Sequence, residues 1–339
     1  MSQSNFDFDA SKLAIYLEDH VDGFQGPLSA KKFADGQSNP TFLIDAKSGK
    51  YVLRRKPPGE LLKSAHAVDR EFKVLSALAN TALPVAKVYH LCKDDSIIGS
   101  MFYLMEYIDG RVSWDPTLPS VSNEERGAIY NEMNRVLALL HSVNIDEVGL
   151  SDYGKPGNYF ERQISRWSKQ YQASETENIP EMNEIMAWLP TNMPSDDGQT
   201  GLVHGDFRMD NMMFHQAEPS VLALVDWELS TLGHPFADLA YQCMQLRMNY
   251  EGVMPGLGGI VRASLGIPSE EEYVAMYCKR MGIDSIPHWN FYLVFSFFRF
   301  ASILQGVKKR DIEGNASSKK AADMGALVIP LAKMAVKLC

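Results

Sequence analysis

The stretch from Leu202 to Asp226 is the feature that most constrains the fold, because it joins two apolar runs through a polar loop of fixed spacing. It reads LVHGDFRMDNMMFHQAEPSVLALVD, breaks at Gly205, and resumes as an apolar run before the closing aspartate. Short apolar runs bounded by turn-forming residues are typical of strands. The sequence therefore predicts a strand, a polar loop and a second strand that ends in an aspartate.

The polar loop carries side chains that suit the transfer of a phosphoryl group. Asp206 and Arg208 follow the first strand closely, and Asn211 lies five positions after Asp206. Such a transfer needs a carboxylate beside the attacking hydroxyl, and Mg²⁺ prefers oxygen ligands from carboxylates, amides and water. Because a lone Asp or Asn in a turn is usually a cap, the prediction depends on the ordered set rather than on any one member.

This ordered set resembles the catalytic loop and the metal-binding aspartate of kinases. Gly205 stands where protein kinases carry arginine, and it makes the match closer to the aminoglycoside phosphotransferase and choline kinase superfamily. The resemblance implies that Asp206 is the catalytic base and that Asn211 and Asp226 bind Mg²⁺. Arg208 would offset negative charge on the phosphoryl group, which ATP would donate.

The resemblance extends over almost the whole chain and implies an α+β, protein-kinase-like two-lobe fold. The N-lobe, residues 1–109, would be an antiparallel sheet that binds the nucleotide. The C-lobe, residues 110–339, would be mainly helical and would hold the catalytic loop and the substrate. The segment MEYIDG at the end of the N-lobe resembles the hinge between kinase lobes. This likeness implies that the backbone around Glu106 and Ile108 recognises adenine.

A turn near the start of the N-lobe is the candidate contact for the nucleotide phosphates. It contains Gly36, Ser38 and Asn39 between two β-type segments. Small, turn-favouring residues predict a hairpin whose backbone can approach phosphates, although an ordinary hairpin fits the same pattern. The chain has neither a G-x-G-x-x-G pattern nor a Walker loop, so no phosphate-binding motif distinguishes this hairpin from an ordinary one.

A basic strand and an acidic helix follow the hairpin. Arg54 takes the position at which kinases carry the lysine that grips the nucleotide, and arginine keeps the charge without being interchangeable with lysine. Because Arg55 and Lys56 follow directly, the sequence leaves open which base faces the nucleotide. Glu71 lies in the next predicted helix, where a kinase-like glutamate would pair with Arg54 and orient it toward phosphate.

A further segment, GHPFADLA, follows Asp226 and matches a G-x-P-x-x-D-L-A arrangement of the same superfamily. Pro235 suits the first turn of a helix, and Asp238 near that helix's N-terminus gains from the helix dipole. We therefore expect Asp238 to have a structural role and to brace the catalytic loop.

Composition narrows the remaining classes of protein. The 339 residues are 45% hydrophobic and 22% charged, which allows a substantial core, and the net charge of −9 disfavours nucleic acid as a partner. The four cysteines show no zinc-site spacing, and the N-terminus lacks a signal-peptide pattern, so we expect a cytoplasmic protein. The longest apolar run, Phe291 to Leu304, is too short to span a bilayer and contains Arg299, so we expect a buried helix and no membrane partner.

The acceptor is suggested by the longer phrases LRRKPPG, SAHAVDREF, HGDFRMDN and DWELSTLGHPFADLA. They resemble the branch of the superfamily that is fused to, or works beside, acyl-CoA dehydrogenases. That likeness implies a small hydroxylated substrate, a hydroxyacyl-CoA such as a 4-hydroxyacyl thioester. Three alternatives stay open: an aminoglycoside phosphotransferase, a nucleotide-binding pseudokinase suggested by Arg54, and a metal-dependent hydrolase. The hydrolase is the weakest, because His204 has no second histidine at ligand spacing.

Overall fold

The chain divides into two compact units. The first comprises Met1–Gly110 and Leu222–Glu228, and the second comprises Arg111–Val221 and Leu229–Cys339. The structure is a computed structural model that describes residues 8–33, 39–57, 67–155, 157–315 and 320–339. The predicted α+β class is confirmed, since the first unit holds an antiparallel sheet and the second is mostly helical. The sequence assigned Asp226 to the C-lobe, and the segment that carries it groups with the first unit.

The first unit is built on one five-stranded antiparallel sheet. Its elements are α1 (Ala10–His20), β1 (Leu28–Lys32), β2 (Thr41–Ala46), β3 (Gly49–Arg55), α2 (Val68–Leu78), β4 (Val88–Cys92) and β5 (Phe102–Glu106). The strands lie in the order β1-β2-β3-β5-β4, and every adjacent pair is antiparallel. In this order β5 lies between β3 and β4, so the last strand of the sheet in sequence pairs with the basic strand β3.

Side-chain alternation along β3 separates its two arginines. Leu53 is fully buried in a core that also contains Leu13 and Leu17 of α1, and Arg55 is buried on the same face. Successive side chains of a strand point to opposite faces. Arg54 therefore points to the face opposite the α1 core.

The second unit is organised around its longest helix. Its helices are α3 (Asn123–His141), α4 (Tyr159–Ser174), α5 (Pro180–Thr191), α6 (Phe236–Arg247), α7 (Glu270–Met281), α8 (Trp289–Ile312), α9 (Ala321–Gly325) and α10 (Val328–Val336). Its strands are β6 (Gly201–Val203), β7 (Met212–Phe214) and β9 (Thr231–Gly233). Strand β8 (Val221–Leu224) begins in the second unit and continues into the segment Leu222–Glu228, which belongs to the first. Helices α4, α5, α6, α9 and α10 pack against α8.

Helix α8 is the buried helix that the sequence predicted. Phe295, Phe298 and Leu304 are each at most 1% exposed, because neighbouring helices cover several sides of α8. Over the described part of the chain, no helix has both the length and the apolar character that crossing a bilayer requires.

The loop that carries Asp206 leaves a short ribbon formed by β6 and β9. These strands pair antiparallel, with Val203 opposite Thr231. Two residues later, Gly205 has a φ of +83°, and a Cβ placed there would lie 2.6 Å from the main-chain oxygen of Leu229. Positive φ and close backbone approach both favour glycine. The turn into the loop therefore requires glycine at this position.

Asp238, in the first turn of α6, braces the same loop. Its Oδ2 accepts the main-chain N–H of His204 at 2.6 Å, and its Oδ1 accepts that of Gly205 at 2.9 Å. The Nε2 atom of His141 lies 3.5 Å from Asp238 Oδ2. Burial raises the pKa of Asp238, but the interactions with His141, His204 and the Gly205 N–H hold it below its ordinary value. The bracing role predicted for this aspartate is confirmed.

Alanine substitutions at Gly205 and Gly149 distinguish two costs, a steric clash with neighbouring backbone and the strain of a positive φ. Both glycines have a positive φ, but only Gly205 has a heavy atom close to a built Cβ. Gly149 has a φ of +72° but no heavy atom within 4 Å of a built Cβ, so Gly149→Ala should cost about 1 kcal/mol. Gly205→Ala should cost about 3 kcal/mol or more, because a main-chain oxygen cannot move aside as a side chain can. If urea denaturation gave the same loss in unfolding free energy for both variants, the contact with Leu229 would add nothing to the cost at Gly205.

Replacement of the Asp238 carboxylate by an amide should destabilise the second unit. Asp238→Asn places an NH₂ group against a main-chain donor, and we expect a loss of about 3 kcal/mol at neutral pH. Because the folded-state pKa is depressed below the unfolded value of about 3.9, the carboxylate's contribution is complete above that pH and is lost as the pH falls through the folded-state pKa. Denaturation midpoints from pH 7 to pH 2 measure this trend.

The exposed Asp284→Asn variant is the control for the loss of one negative charge. We expect it to stay within about 0.5 kcal/mol of the parent protein. The difference in denaturation midpoint between the parent protein and Asp238→Asn should shrink as the pH falls. A constant difference would contradict the conclusion that the ionised Asp238 carboxylate stabilises the fold.

Candidate active site

Asp206 presents an oriented carboxylate from the loop after β6. Its Oδ1 accepts the Tyr241 hydroxyl at 2.8 Å, and its Oδ2 accepts the Asn211 side-chain amide at 3.0 Å. The same amide nitrogen donates to the main-chain oxygen of Asp206 at 2.8 Å. The Asp206 side chain is still 21% exposed, so the carboxylate is fixed by two donors and remains accessible.

Tyr241 is the residue at this site that sequence reasoning missed. It lies one helical turn after Asp238 on α6, so one helix supports the loop backbone and the Asp206 carboxylate together. Burial and then the charge of Asp206 raise the pKa of Tyr241, so the hydroxyl keeps its proton and acts as a donor. The D-L-A-Y spacing was the available signal, since residues three apart on a helix share a face.

Arg208 lies beside Asp206, and its main partner is Asp210. Its Nε donates to Asp210 Oδ1 at 2.8 Å, and its Nη2 contacts Asp210 Oδ2. The same Nε lies 3.9 Å from Asp206 Oδ1. Burial lowers the pKa of Arg208, but Asp206 and Asp210 raise it above its ordinary value, so the group is a cation. Its contact with a phosphoryl group stays a prediction.

The first unit contains the ion pair that the sequence predicted between Arg54 and Glu71. Arg54 Nε lies 2.9 Å from Glu71 Oε2, and Arg54 Nη2 donates to Asp226 Oδ1 at 2.7 Å. Tyr103 and Asn39 donate to the two oxygens of Glu71 at 3.0 Å and 2.8 Å. Burial lowers the pKa of Arg54, whereas Glu71 and Asp226 raise it above its ordinary value. The guanidinium is therefore held, still charged, on the face of β3 that carries the acidic residues.

The two bases that follow Arg54 in sequence have other partners. Arg55 Nη1 donates to the main-chain oxygen of Ile98 at 2.9 Å, and its guanidinium lies 5.5 Å from the Phe42 ring centroid. Lys56 Nζ lies 3.8 Å from Asp69 and is partly exposed. Among the three bases that the sequence left open, Arg54 is the one beside Glu71.

The remaining predicted nucleotide contacts are only partly described. Gly36 and Ser38 lie outside the described residues, and Asn39 is buried against Glu71. The main-chain N–H of Glu106 donates to the Lys87 oxygen at 2.8 Å, so that N–H is engaged within the sheet. Within residues 67–155, which are fully described, the backbone of Ile108 forms no hydrogen bond with a described partner. Recognition of adenine by this backbone stays a prediction.

Asp226 adopts an unusual backbone conformation for a residue other than glycine. Its φ is +65°, and its side chain is 34% exposed. Left-handed backbone at aspartate is uncommon and costs energy, so it is often found where a side chain must be aimed. Arg54 occupies Oδ1, and the second carboxylate oxygen has no hydrogen bond among the described residues. The described ranges contain no group of three or more His, Cys, Asp or Glu side chains arranged to hold a metal ion.

Comparison with known proteins places the chain in a family. Residues 29–273 match the family model described as Phosphotransferase enzyme family. The mouse protein "Acyl-CoA dehydrogenase family member 10" is 49% identical over 311 residues, which cover 91% of this chain and 29% of that protein. The chain thus spans less than half the length of the curated relatives it matches.

Solved structures agree with the family match. A crystal structure of a candidate aminoglycoside phosphotransferase from Ralstonia eutropha JMP134 is 51% identical, covers 98% of both chains and has a TM-score of 0.90. A thermostable aminoglycoside phosphotransferase variant, solved in a ternary complex with AMP-PNP and hygromycin B, is 16% identical, covers 97% of this chain and 99% of its own, and has a TM-score of 0.62. The second likeness shows the fold alone, and it confirms the expected kinase-like two-lobe architecture. The chain belongs to the Phosphotransferase enzyme family, as its motifs predicted.

Proposed function

We propose that this chain transfers the γ-phosphoryl group of ATP to a hydroxyl group of a small molecule. The observation that carries the proposal is the Asp206 carboxylate, held by Tyr241 and Asn211 and still accessible. Family membership supports phosphoryl transfer, and this carboxylate supplies the group that would orient the acceptor.

Asp206 would act on the acceptor hydroxyl during transfer. The hydroxyl oxygen forms a bond to the γ-phosphorus, the bond from phosphorus to the β-γ bridging oxygen breaks, and ADP leaves. The hydroxyl proton passes to the Asp206 carboxylate. Two donors already hold that carboxylate, so little reorganisation is needed when the acceptor arrives.

The residues predicted to bind magnesium suit that ion chemically. Asn211 uses its amide nitrogen on Asp206, which leaves its amide oxygen as a ligand, and Asp226 has one carboxylate oxygen apart from the one that Arg54 contacts. Mg²⁺ prefers such oxygen ligands together with water and phosphate. When bound, the ion would neutralise charge on the nucleotide phosphates.

Nucleotide binding would depend on Arg54 in the first unit. Its position beside Glu71 and Asp226 keeps the guanidinium charged. A planar guanidinium can contact phosphate oxygens through two parallel N–H bonds. The AMP-PNP complex of a protein with the same fold supports ATP as the donor.

We infer the acceptor class from the family name of the curated relatives. The mouse relative bears an acyl-CoA dehydrogenase family name, and this chain matches only 29% of its length. We propose a hydroxyacyl-CoA as the acceptor and a metabolic role beside an acyl-CoA dehydrogenase. An amino sugar is the second candidate, because the structure that is 51% identical is described as a candidate aminoglycoside phosphotransferase.

Substitution of Asp206 tests the catalytic assignment. Asp206→Asn keeps the shape and an acceptor for Tyr241 but removes the base, so kcat should fall about 100- to 10,000-fold. AMP-PNP binding should stay within about twofold, because the altered group acts on the acceptor rather than on the nucleotide. The assay incubates protein, ATP and Mg²⁺ with hydroxyacyl-CoA, amino-sugar and amino-alcohol pools and measures the mass gain of one phosphoryl group.

The exposed Asp284→Asn variant is the matched control and should retain full turnover. Unchanged turnover in Asp206→Asn would refute the role of that carboxylate. If the parent protein bound AMP-PNP but phosphorylated no acceptor, a nucleotide-binding protein without transferase activity would replace the proposal.

Substitution of Arg54 and of Lys56 tests which base binds the nucleotide. Arg54→Met should raise the KM for ATP about 10- to 100-fold, because it removes a charged hydrogen bond to phosphate. Arg54→Lys should give a smaller increase, since it keeps the charge and loses the fork. Lys56→Met, which alters a base paired with Asp69, should change the KM less than about twofold. A larger effect from Lys56 than from Arg54 would reverse the assignment.

A further inference from the structure

Arg299 of α8 is a buried cation enclosed by aromatic rings of the second unit. Only 7% of the residue is exposed. Its guanidinium carbon lies 5.6 Å from the centroid of the Trp167 ring on α4 and 5.1 Å from that of the Tyr241 ring on α6. Cation–π contacts of this kind stabilise a guanidinium without using its N–H donors.

The N–H donors of Arg299 have no partner among the described residues, by hydrogen bond or by ion pair. Arg126, buried to a similar extent in the same unit, donates to the Leu118 oxygen at 3.0 Å and to Asn123 Oδ1 at 2.5 Å. Buried arginines are normally paired, whereas no Arg299 nitrogen is among the fully buried side-chain atoms of the described residues that lack a partner, so solvent reaches the guanidinium. Arg299 is therefore suited to pair with a group that a ligand brings.

A second guanidinium lies beside the same indole ring as Arg299. The Arg166 guanidinium lies 5.2 Å from the same Trp167 ring, and the side chain of Arg166 is exposed. Two guanidinium groups on one indole favour an electron-rich oxygen group in their vicinity and disfavour a cationic one.

One side chain, that of Tyr241, contacts both Arg299 and Asp206. The ring of Tyr241 lies under the guanidinium, and the hydroxyl of the same ring donates to Asp206 Oδ1 at 2.8 Å. Burial and Asp206 raise the pKa of Tyr241, whereas Arg208 and Arg299 lower it, so the Arg299 charge reaches that hydroxyl. A group bound by Arg299 would thus lie about one aromatic side chain away from the carboxylate.

We propose that Arg299 binds an acyl oxygen of the acceptor, either a carboxylate or a thioester carbonyl, and so selects acceptors whose hydroxyl lies a few carbons from an acyl group. This inference rests on the proposed function, in which Asp206 acts on that hydroxyl. The planar fork of arginine matches the acyl oxygens, and Trp167 and Tyr241 offer apolar faces to the chain beside them. The same cation repels the ammonium groups of amino sugars and amino alcohols, which sets acyl acceptors apart from the other candidates.

A matched panel of acceptors tests the proposal. It contains 3-, 4- and 5-hydroxyacyl-CoA thioesters, the corresponding free hydroxy acids, the corresponding diols and the corresponding amino alcohols, all with ATP and Mg²⁺. The parent protein should favour thioester or acid over the diol by about 10- to 100-fold in kcat/KM, as expected for a hydrogen bond to a charged group. Thioester and acid arms show which acyl oxygen is bound.

Three variants separate recognition from packing. Arg299→Met keeps the length between the rings and should lower kcat/KM for the acyl acceptor about 10- to 100-fold, mainly through KM, while the diol changes less than about twofold. Arg299→Lys keeps the charge and should retain part of the preference. Arg126→Met removes a buried arginine with internal partners and should leave the preference intact.

The outcomes are distinguishable. If Arg299→Met lowers activity on every acceptor equally, or raises the KM for ATP instead, Arg299 is a packing or nucleotide-binding residue and the inference is overturned. An unchanged preference in both Arg299 variants overturns it as well. If the parent protein phosphorylates no hydroxylated acceptor, the proposed function itself fails.

Discussion

The buried carboxylate of Asp238 is the interaction on which the second unit's candidate site depends. It accepts the N–H groups of His204 and Gly205, which are the two residues directly before Asp206. The chain leaves β6 in a turn at Gly205, where φ is positive, and these two N–H groups lie after the pairing of β6 with β9, which ends at Val203. The side chain of Asp238 supplies the acceptors that such buried donors need. Because the carboxylate sits in the first turn of α6, the helix dipole also favours its charge. The loop geometry is therefore set by a helix that follows it in sequence.

Helix α6 has a second function in the same arrangement. Tyr241 lies one turn after Asp238 and donates to Asp206, so the backbone and the side chain of the loop are held by one rigid element. The ring of Tyr241 then meets Arg299 from α8. The support of the carboxylate and the proposed selection of the acceptor thus share a single side chain.

The first unit uses a different device, in which one cation is surrounded by carboxylates. Arg54 contacts Glu71 and Asp226, while Asn39 and Tyr103 occupy the remaining capacity of Glu71. A pairing of this kind keeps a buried guanidinium charged. The planar fork of arginine lets one side chain reach both carboxylates together.

The sequence by itself determined the order and chemistry of the groups: a carboxylate and an amide five positions apart, an aspartate after the next strand, and a glutamate one element after a basic strand. These follow from local spacing, whereas the resemblance to kinases and to the phosphotransferase superfamily implied the Arg54–Glu71 pair and the Asp238 brace. Only the tertiary structure decided which of three adjacent bases faces Glu71, that Tyr241 holds Asp206, and that Arg299 lies unpaired among the described residues between two rings. Which side chains of a strand point toward the core depends on the face that the rest of the fold covers, and spacing alone does not give that face. The contacts among α4, α6 and α8 join residues that are far apart in the chain, so local spacing does not give them either.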